Sequence, residues 1–153
     1  MEKNYIITSF VLVPLMGFLI SLLISDKNEL TISRISFYTI GIQFFTAFGF
    51  IIYWMFTGHS SINIKEISLF QSEEYEFLVD FYFDKVTAVY LLVGAFVTFL
   101  IIRYSSFYLH LEQGYKRFFN TILLFFLGYN LTVLSGNFET LFIGWEVLGI
   151  SSF

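Results

Sequence analysis

Glu146 is the residue whose type and position most suggest chemistry. It is set inside Phe138 to Phe153, F-E-T-L-F-I-G-W-E-V-L-G-I-S-S-F, a run suited to lipid. As a helix rising about 1.5 Å per residue, the run puts Glu146 about 12 Å from Phe138, near the middle of a hydrocarbon core about 30 Å thick. An ionisable side chain at that depth is costly and is a functional-site candidate by default. Low dielectric disfavours the charged form of a carboxyl, so such a group is suited to taking up and releasing a proton. Held protonated, the same acid also serves as a hydrogen-bonded brace between helices, and the segment supports both readings. Residues three, four and seven positions away share its helical face: Glu139, Phe142, Ile143, Gly149, Ile150 and Phe153. The missing side chain at Gly149 leaves room there for water or a neighbouring helix.

The preceding apolar run is more polar than a membrane span requires, with Asn120, Thr121, Tyr129, Asn130 and Thr132. Tyr129, Asn130 and Thr132 are candidates for inter-helix hydrogen bonds, or for the lining of a hydrated path beside Glu146. Asn130-Leu131-Thr132 has the form of a glycosylation sequon, but inside a span no transferase reaches it. Asp84, Arg103, Glu112 and Arg117 fall at the ends of apolar runs and read as boundary anchors, to helix ends or to other subunits. His59 and His110 are single histidines in connectors and read as solvated or interfacial. There is no Gly-rich phosphate loop, no H-E-x-x-H pair and no nucleophile with its base, so no catalytic residue is expected. With no cysteine, the chain has no disulfide, thiolate metal site or cysteine-held iron–sulfur cluster, and no cofactor or metal site is expected on it. Eight basic against twelve acidic residues, without a basic cluster, imply neither nucleic acid nor recruitment of anionic lipid.

The elements that must position these residues follow from hydropathy. The chain is 57% apolar and only 13% charged, where soluble domains carry about 25% charge, and the apolar residues fall in long uncharged runs. It is therefore expected to be an all-α, polytopic membrane bundle of about five spans: 5–25, 35–57, 83–104, 118–135 and 138–153. Its first run lacks a small-x-small cleavage site, so it is read as a retained helix, with a kink near Pro14. The charged connector Asp26 to Arg34 returns the second span antiparallel, and Tyr53 and Trp54 mark that span's interfacial end. From Gly58 to Asp84 the pattern changes. Ile62, Ile64, Phe77, Val79, Phe81 and Phe83 alternate with Asn63, Lys65, Glu76, Asp80 and Asp84, predicting a short extramembrane β-hairpin around an acidic turn at Gln71 to Glu74. Such a hairpin is marginal alone and should pack on helix ends or a partner. The third span holds 17 uncharged residues between Lys85 and Arg103, about 26 Å, so its flanking charges are expected to snorkel. The aromatic, amphipathic connector from Arg103 to Arg117 suits the membrane surface. With the N-terminus outside, Lys27, Arg34, Arg103, Lys116 and Arg117 are cytoplasmic and Lys3, Lys65 and Lys85 are not, which favours that orientation. The last run stops without a polar flank, as expected of a truncated span.

The series Asp84-Lys-Val-Thr87, Tyr104-Ser-Ser-Phe-Tyr108, Glu112, Arg117-Phe-Phe119 and Gly144-Trp-Glu-Val-Leu-Gly149-Ile-Ser-Ser-Phe153 resembles the N-terminal part of the antiporter-like membrane subunit of respiratory complex I, an NADH-quinone oxidoreductase. That subunit is called L in bacteria and 5 in mitochondria. The match spans about 70 residues, and residues 1–80 share only its layout. The resemblance implies a larger bundle, in which a glutamate on the fifth span pairs with a lysine on a later discontinuous helix and takes part in proton translocation. Glu146 is similar to that glutamate by its W-E-x-x-G setting. It also implies other membrane subunits as partners, with flavin and iron–sulfur clusters on other subunits, quinone met only indirectly through them, and no redox chemistry here. The location implied is the cell inner (plasma) membrane or the mitochondrial inner membrane. Large subunits of multi-subunit sodium/proton antiporters and membrane subunits of inorganic-carbon uptake systems share these motifs. A scaffold that docks subunits and moves no ions is a further reading from a different class.

Overall fold

Proline at position 14 removes a backbone N–H from the middle of the first helix, and the bundle is knitted around the consequence. In the computed structural model, which describes residues 2–58, 60–71 and 76–153, helix α1 spans Glu2–Leu23 and contains Pro14. The carbonyl of Phe10, four residues earlier, therefore has no helical donor. Two buried amides replace it: Gln43 Nε2 donates at 3.0 Å and Asn130 Nδ2 at 2.8 Å. Gln43 lies on α2 (Glu29–Phe56) and Asn130 on α4 (Tyr115–Leu134), so one freed carbonyl ties three helices together. A second, partly buried bond joins α1 to α4, from the Ser21 hydroxyl to Asn120 Oδ1.

The remaining elements are strands β1 (Ile62–Gln71) and β2 (Glu76–Phe83), then α3 (Lys85–Tyr108) and α5 (Phe138–Ser152). The four helices α1 to α4 are long and apolar enough to cross a membrane, with the crossing part of α1 running Tyr5–Leu23. The chain is a multi-pass membrane protein. The fifth expected span is a helix of 15 residues, about 22 Å by helical rise. Two expected boundaries move by four residues or more. Helix α2 starts at Glu29, ahead of the expected Ile35, and α3 runs past Arg103 to Tyr108. Charged residues such as Arg34 and Arg103 end the apolar run but not the hydrogen-bonded helix, so the surface connector shrinks to 109–114. That turn closes on Leu111 and Gly114, both with positive φ (67° and 92°).

The strands pair antiparallel, Ile62 opposite Phe83 and Ile64 opposite Phe81, with irregularities between Lys65 and Ile67 and between Ser68 and Phe70. The acidic turn expected from Gln71 to Glu74 lies, beyond Gln71, outside the described residues, as does His59. One hairpin face follows the expected alternation: Ile64, Phe81 and Phe83 are buried against Phe50 and Trp54 of α2, Leu91 of α3 and Leu134 of α4. Phe83 meets Phe50 and Trp54 edge-on, with ring centroids 5.1 and 5.3 Å apart, and Trp54 Nε1 donates to the Ser60 carbonyl at 2.8 Å. The opposite face departs from expectation at Asp80, which alternation assigns to the polar side and which is buried. The start of α5 covers it. Gly136 N donates to the Asp80 carbonyl at 2.7 Å, Asp80 N donates to Thr140 Oγ1 at 2.9 Å, and Asn137 Nδ2 donates to the Leu78 carbonyl at 2.7 Å. The hairpin is thus bonded directly to the helix that carries Glu146.

Candidate functional site

Helix α5 begins with Asn137 as its N-cap, whose side chain accepts from Thr140 N at 2.9 Å. Its buried residues are Thr140, Gly144 and Ser151, a spacing that marks one helical face. This face meets α4 at backbone distance. A Cβ built on Gly144 would fall 2.6 Å from the nitrogen and hydroxyl of Thr132, and one built on Gly128 would fall 2.9 Å from Leu148 N. Small residues on both sides permit this approach, the usual means by which membrane helices gain packing contact.

That contact fixes where Glu146 points. Two residues beyond Gly144, it is rotated by roughly 200° from the α4-facing side. Glu146 is exposed on the outward face of the bundle, in company with Phe142, Trp145, Gly149 and Ile150. Gly149 has nothing within 4 Å of a built Cβ, so the space beside the acid is open. The carboxyl is not enclosed by these five helices, and the polar residues of α4 do not surround it. Asn130 faces α1 through its bond to Phe10. Tyr129 lies against Gly94 and donates to the Tyr90 carbonyl of α3 at 2.7 Å, while Thr132 donates to the Gly128 carbonyl in its own helix at 2.9 Å. Each is bonded to backbone, and each works in helix contact. Asn130 Oδ1 is buried without a hydrogen-bond partner.

The boundary residues divide by partner. Asp84 is the N-cap of α3, accepting from Thr87 N at 2.9 Å. Arg103, though exposed, lays its guanidinium over Phe107, 4.7 Å from the ring centroid, with Phe37 at 5.8 Å, a cation–π contact. Glu112 and Arg117 are exposed beside a groove at the start of α4. Sequence reasoning missed what fastens the nearby turn. Glu29 Oε2 meets His110 Nδ1 at 2.8 Å and accepts from Leu111 N at 3.3 Å, so His110 is a clasp and not merely solvated. This pair closes 81 residues of sequence, and no local pattern announces it. Lys116 likewise reaches back across the bundle, to Asp26 at 3.1 Å and to the Leu22 carbonyl at 3.2 Å.

Residues 69–119 match the model of the complex I (NADH-ubiquinone oxidoreductase) chain 5 N-terminus. NADH-quinone oxidoreductase subunit L of Neisseria meningitidis serogroup A is 32% identical over 148 residues, 93% of this chain and 21% of that protein. NADH-ubiquinone oxidoreductase chain 5 of Felis catus is 36% identical over 75 residues, 49% of this chain and 12% of that one. The chain thus spans about a fifth or less of the length of the relatives it matches. Among solved structures, a chain of the membrane-bound sulfane sulfur reductase, an archaeal respiratory membrane complex, superposes with a TM-score of 0.73 at 19% identity, over 95% of this chain and 29% of that one. That likeness is one of fold. The sequence matches make this chain a relative of complex I subunit L and chain 5, similar to the N-terminal part of those proteins.

Proposed function

We propose that this chain is part of a proton-translocating membrane subunit of an NADH-quinone oxidoreductase-like complex, and that Glu146 is a residue on which it loads and releases protons. The observation that carries the reading is the setting of that acid. Glu146 stands on a face of α5 that is apolar apart from Glu139 near the helix start, beside the open space at Gly149 and flanked by Phe142 and Trp145. A bare carboxylate facing hydrocarbon costs about 2.5–3.5 kcal/mol even on the most lenient scale. The face therefore works against a further element that brings a cation or water to the acid. The family resemblance supplies a candidate, the lysine of a later discontinuous helix. Alternation between a charged pair and a neutral, protonated acid is then the transport step, and the bonds joining α5 to the hairpin and to α4 hold the carboxyl in place during it.

The subunit's partners are the other membrane subunits, while flavin, iron–sulfur clusters and the redox chemistry sit on other subunits of the complex; this chain contributes proton movement alone. The inner (plasma) membrane of a bacterial cell is favoured by the reach of the bacterial match, 93% of the chain against 49% for the animal protein. Glu146→Gln tests the reading, since it preserves shape and hydrogen bonding and removes ionisation. In the assembled complex it should lower the number of protons moved per electron while NADH oxidation continues. An unchanged stoichiometry in an assembled Glu146→Gln complex favours a scaffold over a carrier.

A further inference from the structure

At the end of the bundle opposite the hairpin, two grooves of about 590 Å³ each flank one face of α4. Arg117, Thr121 and Leu124 line both. Their spacing of four and three residues makes them a single ridge along the helix, with Arg117 at its membrane-surface end. The first groove descends between Phe18 and Leu22 of α1 and the ridge, and the second between the ridge and Ile150 of α5. The charges at the mouth are largely committed. Lys116 is held by Asp26, and Glu29 by His110. Arg117 and Glu112 remain without an ion-pair partner among the described residues.

We propose that this saddle binds a zwitterionic diacyl phospholipid with a primary ammonium head group, of the phosphoethanolamine type. Its acyl chains run along the first groove beside Phe18, Leu22 and Leu124, the phosphate sits on Arg117, and the ammonium donates to Glu112. The chemistry selects this occupant over other membrane lipids. With Asp26 held by Lys116 and Glu29 by His110, the groove offers, among the described residues, one unpaired cation, Arg117, and one unpaired carboxylate, Glu112, so a head group carrying only negative charge leaves Glu112 unmatched and one carrying both charges matches the pair. A quaternary choline satisfies the charge but has no N–H for Glu112, whereas a primary ammonium offers three donors. Guanidinium is suited to phosphate by its planar fork of donors. The surface position fits, since these residues stand where the apolar stretches of α1 and α4 end. The proposal does not depend on the proton-carrying role of Glu146.

The test is lipid retention by the protein purified with its native membrane partners and equilibrated with an equal mixture of phosphatidylethanolamine, phosphatidylcholine and phosphatidylglycerol. Bound lipid is counted by native mass spectrometry. Phosphatidylethanolamine should be enriched over both others. Arg117→Gln should lower its retention roughly two- to fivefold, as expected for one ion pair at a partly solvated site. Glu112→Gln should erase the preference for ethanolamine over choline while lipid is still held. Arg103→Gln, whose cation stacks on Phe107, should leave retention unchanged. Enrichment of phosphatidylglycerol, equal retention of all three lipids, retention indifferent to both groove variants, or no bound lipid because another subunit fills the grooves would each overturn the proposal.

Discussion

Replacement of Gly144 by alanine should loosen α5 from α4, by an amount that follows from the geometry of the contact. The added Cβ would lie 2.6 Å from Thr132 N and Oγ1 and 3.0 Å from the Leu131 carbonyl carbon. Side chains swing aside cheaply, but a backbone nitrogen moves only with its helix. Ordinary contact begins at 3.4 Å, so α5 must withdraw by about 0.8 Å along that direction (3.4 less 2.6). Overpacking of this kind costs about 1–3 kcal/mol, against which the better helix propensity of alanine returns up to about 1 kcal/mol. A net loss of up to about 2 kcal/mol is expected, and a larger one relative to a glycine-to-alanine change made where there is room. Gly49→Ala is the matched control: it makes the same chemical change inside α2, where nothing lies within 4 Å of a built Cβ, and it should leave stability equal or slightly raised. Denaturant titration of the purified protein in mixed micelles reads both. If Gly144→Ala changes stability no differently from Gly49→Ala, α5 does not meet α4 through Gly144, and the outward direction of Glu146 falls with that contact.

Other outcomes follow from the same packing. Asn130→Ala should cost about 0.6–1.7 kcal/mol, the range for hydrogen bonds between membrane helices, and less when Pro14→Ala returns an N–H to the Phe10 carbonyl; equal cost in both backgrounds in a double-mutant cycle would contradict the shared-carbonyl arrangement. Phe83→Ala empties a fully buried site and should cost about 3–5 kcal/mol, releasing the hairpin to limited proteolysis. Asn137→Ala removes both a cap and a bond to the hairpin, so it should destabilise more than Asp84→Ala, which loses a cap alone at about 1 kcal/mol; thermal melts of the two variants compare them.

Features set by a residue's own chemistry were readable from the sequence. The disruption at Pro14 follows from a missing N–H, and the hairpin follows from alternation interrupted by polar residues. The amides that repair the break were not readable, because Gln43 and Asn130 lie 33 and 120 residues from Phe10 and nothing local links them. Glu146 was identifiable as an acid among apolar neighbours, but its direction was not. Helix α5 is apolar on nearly every side, so hydrophobic periodicity cannot choose a face. The informative signal was size, in the small residues Thr140, Gly144 and Ser151 on one side. Asp80 shows the limit of period-two reasoning. Alternation separates the two faces of a strand but does not say whether a helix start covers the polar one. The Glu29 and His110 clasp belongs to the same class, formed only once two helix ends meet.

The most direct measurement of the central claim is infrared difference spectroscopy on the assembled complex, comparing resting and NADH-energised states in unsubstituted and Glu146→Gln protein. The expected result is a protonated-carboxyl band that changes on energisation and is missing from the variant. A difference spectrum whose carboxyl region is the same in both proteins would contradict a change of protonation at Glu146.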